Sequence, residues 1–84
     1  LRAIEDKDVQ FLNTDVGFGD GHLLNGNCSK AEERYLRSIE NKQTRMDGFY
    51  RLRDFYTYRA DRKNFEKYSD LILTELVLGN EYMI

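Results

Sequence analysis

A chain of 84 residues and 10.0 kDa has material for one hydrophobic core and no more, which excludes a multidomain enzyme. Its 13 basic and 15 acidic residues leave a net charge of −2, which argues against a module that is basic over its whole surface. With 40% hydrophobic and 33% charged residues the composition is that of a globular chain and not of a disordered one.

The single cysteine, Cys28, cannot close an intramolecular disulfide, so no bridge framework of the secreted type holds the fold and an intracellular setting is expected. The longest apolar run, Leu71-Ile72-Leu73, stops at Thr74 and Glu75, far short of the roughly 20 residues a membrane helix needs. A chain that starts at Leu1 and not at Met is expected of a processed product or of a domain cut from something longer. The absence of proline removes the strongest helix breaker. An all-α fold is therefore expected, a single helical domain over residues 1–84 made of three or four helices.

The first helix is predicted over residues 2–12, where Leu1, Ile4, Val9, Phe11 and Leu12 recur near helical spacing among Glu5, Asp6 and Lys7. Four of the six glycines then fall between Asn13 and Asn27, and residues 13–28 are predicted to form a glycine-rich loop. Its length is near the limit for a structureless connection, so it is read as mobile, functional, or packed through Phe18, Leu23 and Leu24.

Ser29-Lys30-Ala31-Glu32 has the form of a capping box, in which serine accepts an orphan amide of the first turn and glutamate reaches back to the cap. A long helix over residues 30–60 follows from it. Tyr35, Ile39, Met46, Phe49 and Tyr56 share one face of that helix, interrupted by Lys42 or Gln43 and by Arg53. Asp47-Gly48 marks a kink or a turn, because glycine costs about 1 kcal/mol against alanine within a helix. Beyond Tyr56 the apolar stripe changes phase to Tyr58, Phe65, Tyr68, Ile72 and Leu76. One straight helix cannot bury both stripes on one partner, so a turn is predicted within residues 59–64, capped by Asp61 or Asn64. A last helix over residues 64–78 ends at Gly79 in the left-handed cap position.

Two stretches carry chemistry-bearing residues. Asp15, Asp20, His22 and Cys28 stand close together in sequence among glycines. The EF-hand pattern fails because glycine occupies ligand positions and no closing glutamate follows. A zinc site would need the loop to fold around the ion, and a phosphate loop lacks its strand and its terminal Gly-Lys-Ser or Gly-Lys-Thr. Nucleophilic catalysis would pair Cys28 with His22 without a cleft to hold substrate. A solvated loop is the plainer reading, with no catalytic residue, no metal and no cofactor expected.

The second stretch, residues 45–68, holds seven of the eleven aromatics. Seven basic residues, Arg45, Arg51, Arg53, Arg59, Arg62, Lys63 and Lys67, exceed the four acids Asp47, Asp54, Asp61 and Glu66, for a local charge of +3. Part of this set must be core and ordinary surface. Tyrosine beside arginine also marks protein interfaces, and adjacent pairs such as Phe49-Tyr50 and Phe55-Tyr56 point in directions that one packing partner cannot cover. The leading expectation is a non-enzymatic protein-interaction or self-association module working through Tyr50, Arg53, Phe55 and Tyr58, without membrane contact. The alternative is nucleic-acid binding, with phosphates met by Arg51, Arg59, Arg62 and Lys63 and bases stacked on tyrosine.

Overall fold

The computed structural model describes residues 14–83, with side chains as far as Leu78. Among the described residues there are four α-helices and no strand: α1 Asp15–Leu24, α2 Cys28–Ser38, α3 Arg45–Tyr58 and α4 Arg62–Met83. The all-α expectation holds. The helix predicted over residues 2–12 lies outside the described residues.

The glycine-rich stretch is a helix where a loop was expected. Thr14 caps it, its Oγ1 accepting from the Gly17 amide at 3.0 Å, and Asp15 sits in the first turn, where a negative charge meets the helix dipole favourably. The glycines remain a local cost, and tertiary contacts hold the helix. At Gly19 an added Cβ would lie 2.7 Å from Cδ1 of Tyr35, so the missing side chain is what lets that ring lie against the α1 backbone.

The capping box does not form. α2 begins two residues earlier than expected, at Cys28, with Asn27 at its N-cap and no side-chain cap bond, while Glu32 accepts instead from the Tyr56 hydroxyl. The long helix expected over residues 30–60 is two helices, and the break falls at residues 39–44, not at Gly48. Polar side chains take up the carbonyls there: Thr44 Oγ1 donates to Ser38 O at 2.6 Å and Arg45 Nε to Ile39 O at 2.9 Å. Gly48 lies inside α3, where α2 approaches so closely that an added Cβ would be 2.7 Å from Cγ2 of Ile39, 3.3 Å from the Tyr35 carbonyl and nearer still to the Ser38 hydroxyl.

The turn predicted within residues 59–64 is present as the three-residue link 59–61. α4 does not stop at Gly79 but continues to Met83.

Each helix packs on its neighbours in the chain, α1 on α2, α2 on α3 and α3 on α4, and α1 also reaches α3. Rings join the last three helices. Tyr35 meets Phe55 edge-on with centroids 6.2 Å apart, Phe55 meets Tyr56 at 5.3 Å, and Tyr56 stacks on Tyr68 at 5.7 Å. Phe49 closes the series on Tyr68 at 6.1 Å. Such contacts add about 0.5–1.5 kcal/mol each beyond the area they bury. Leu52 and Ala31 are fully enclosed among them.

Candidate functional site

α3 runs between α2 and α4, and this settles where its aromatic side chains go. Phe55 is 5% exposed and packs between Tyr35 and Tyr56, so it is a core residue and not the contact residue expected from sequence. The adjacent pair Phe55-Tyr56 does have two partners, and both are helices of the same chain. Tyr50 is half-buried with the Arg53 guanidinium over its ring at 5.2 Å, and Arg53 also reaches Asp54 at 3.2 Å. Of the four expected partner-binding residues only Tyr58 stands fully in solvent, 79% exposed.

Arg51 is likewise drawn inward. Its Nε donates to Oδ1 of Asp20 at 3.0 Å and its Nη2 to Oδ2 at 3.2 Å, a two-pronged pairing that suits the planar guanidinium. The Tyr35 hydroxyl donates to the same carboxylate at 2.6 Å. Burial first, and the Asp20 bond second, push the Tyr35 hydroxyl well above its ordinary pKa. Asp15 takes Arg34 at 3.1 Å and Arg37 at 3.8 Å. Both carboxylates of the suspected metal loop are thus engaged by cations. Among the described residues no three His, Cys, Asp or Glu side chains are grouped so as to hold a metal ion. Cys28 and His22 line different hollows: Cys28 one of about 120 Å³ with Glu32, Tyr56 and Arg59, and His22 another with Lys30, Glu33 and Arg37.

Arg59, Arg62 and Lys63 stand at the α3–α4 corner. α3 ends in a reversal in which the Asp61 amide donates to Tyr56 O at 2.8 Å and the Ala60 amide to Thr57 O at 3.1 Å. Ala60 has φ +57°, the left-handed conformation that such a helix ending demands. Asp61 then caps α4, its Oδ1 accepting from the Asn64 amide at 3.2 Å and its Oδ2 from the Asn64 side chain at 2.9 Å. These bonds, with Lys63 and Arg59 nearby, hold the Asp61 carboxyl below the usual range. The corner is therefore a bonded turn that presents Tyr58, Arg59, Arg62 and Lys63, all exposed. Arg62 pairs with Glu66 at 3.1 Å, yet its side chain is 88% exposed, and a pair so placed exchanges readily with solvent or another anion.

Sequence reasoning overlooked two features. The Asp20–Tyr35–Arg51 knot joins positions with no periodic relation, so nothing in the sequence announces it. The second is that the outer part of α4 leaves Leu73, Leu76, Val77 and Leu78 in solvent; the signal was apolar positions on more than one face of the helix, and Leu76, placed by its spacing on the buried stripe with Ile72, is 47% exposed. No described helix is long and apolar enough to cross a membrane. Compared with protein-family models, curated proteins and solved structures, the chain finds no match in any of the three.

Proposed function

We propose that this chain is a non-enzymatic binding module whose α3–α4 corner contacts nucleic acid. The observation that carries the reading is the placement of Tyr58, 79% exposed, on a bonded turn with Arg59, Arg62 and Lys63 in solvent around it. Cations at a fixed turn meet phosphates, and an exposed tyrosine ring offers a stacking face for an unpaired base. Three of the four residues expected to meet phosphate are available for it. By contrast the aromatic protein interface expected on α3 has lost Phe55 to the core. A protein-interaction role draws its support from the exposed apolar residues on α4 instead.

The test is fluorescence anisotropy of a labelled single-stranded oligonucleotide and of its duplex across a salt series. Changing Arg59, Arg62 and Lys63 together to alanine should flatten the log Kd against log salt slope by about 2–3, since each phosphate contact contributes nearly one. Tyr58→Ala should weaken the single strand about 5- to 150-fold and the duplex less, in keeping with about 1–3 kcal/mol per stacked base. Binding that ignores both changes would sink the proposal.

A further inference from the structure

α1 ends in a closed cap. The Asn27 amide donates to His22 O at 2.8 Å and the Gly26 amide to Leu23 O at 3.0 Å, the paired bonds that finish a helix when the residue after its C-cap turns left-handed. Gly26 is that residue, with φ +76°, a conformation glycine adopts without the clash a Cβ would bring. Asn25 stands before it at the C-cap, exposed, with φ −87° and ψ 7°. The cap thus sets a glycine directly after an exposed asparagine, and this is the one Asn-Gly step in the chain. No side chain on Gly26 hinders the approach of its amide nitrogen to Cγ of Asn25, and nothing lies within 4 Å of where a Cβ would stand. The other asparagines are followed by Thr14, Cys28, Lys42, Phe65 and Glu81, whose side chains crowd the same approach.

We propose that Asn25 is a site of covalent modification, deamidation through a cyclic imide with Gly26, timed by opening of the α1 cap. Once the Gly26 amide leaves Leu23 O and gives its proton to water, its nitrogen bonds to Cγ of Asn25, the Cγ–Nδ2 bond breaks and the side-chain nitrogen departs as ammonia. Water then opens the five-membered imide. Addition at Cγ restores the main chain and leaves aspartate, while addition at the α-carbonyl carbon routes the chain through Cβ and leaves isoaspartate. With ψ at 7°, Cβ and the Gly26 nitrogen are turned apart about the Cα–C bond, so the ring cannot close until the cap opens and that bond rotates. α1 is suited to such opening. Its docking rests on Asp20 with Tyr35 and Arg51 and on Asp15 with Arg34, and Gly17, Gly19 and Gly21 lower its own helical preference. An isoaspartyl step adds one carbon to the main chain inside the cap, so its paired bonds cannot both be kept and α1 loses its closed end.

The intact chain is incubated at neutral pH, natively and in urea, and mapped by mass spectrometry with fragmentation that separates aspartate from isoaspartate. Acid should accumulate at Asn25 ahead of every other asparagine. Asp20→Ala should speed the native reaction about fivefold or more, the factor that loss of one charged side-chain contact carries, and urea should speed it further. Asn25→Gln should remove the product, since its longer side chain cannot close the same ring. Separated by ion exchange on its added negative charge, the isoaspartyl form should show faster hydrogen exchange in α1 with α3 unchanged. Acid appearing first at another asparagine, or at Asn25 with one rate in the native, Asp20→Ala and unfolded chains, would overturn the inference. So would an isoaspartyl form whose α1 amides stay as protected as before.

Discussion

The two ends of this small fold are fastened by different means. α3 and α4 meet through rings and Leu52, buried surface that no ion can loosen. α1 is joined to α2 and α3 by Asp20 on Tyr35 and Arg51, by Asp15 on Arg34, and by the Arg34 guanidinium over Phe18 at 4.7 Å. Three glycines within its ten residues, each costing about 0.5–1 kcal/mol against alanine, make α1 a poor helix by itself. Area burial stabilises wherever water is expelled, but charged pairs at a third exposure are screened by salt and contribute less. The lesson is that one end supplies stability and the other spends geometry on alignment, with α1 held in place more than it holds.

The comparison breaks first at Leu52, which is fully buried. Leu52→Ala should cost about 2–5 kcal/mol through lost transfer and a cavity, measured as a drop in the urea midpoint. Gly48→Ala comes next, at about 1–3 kcal/mol, because the methyl must displace Ile39 and the Ser38 hydroxyl at the α2–α3 crossing; thermal unfolding reads it directly. Asp20→Asn should cost about 1 kcal/mol, and hydrogen exchange should show the effect on α1 amides with α3 protection retained. Last and opposite in sign, Gly21→Ala should stabilise by about 0.5–1 kcal/mol, since Gly21 is helical, exposed and has nothing within 4 Å of an added Cβ. If α1 were integral to the core, Asp20→Asn would loosen α3 equally.

The same contrast explains what the sequence disclosed. The turn at residues 59–61 was legible because the apolar stripe changes phase there and Asp61 is a natural cap. The helix at Asp15–Leu24 was not, since its glycines argue for a loop and the reason for Gly19 is a Tyr35 ring 16 residues away in the chain. Gly48 misled for the same reason: its value lies in the close approach of α2, and local propensity reads it as a break. At the candidate site, the exposure of Arg59, Arg62 and Lys63 followed from their position at the corner, whereas Tyr58, placed by its spacing on the apolar stripe with Phe65 and Tyr68, is 79% exposed. The burial of Phe55 depended on α3 having a helix on each side, which a one-dimensional pattern does not reveal.

Because every described helix leans mainly on the one before or after it, the pairings among them close short loops of chain. Little entropy is spent in searching for them, and folding should fall in the microsecond-to-millisecond range of small helical proteins of low contact order. The same connectivity lets a nascent chain assemble in the order of its synthesis, each helix finding a docking face already formed behind it. Among the four described helices α4 then settles after the others, and the basic corner that precedes it takes shape only as α4 folds back on α3.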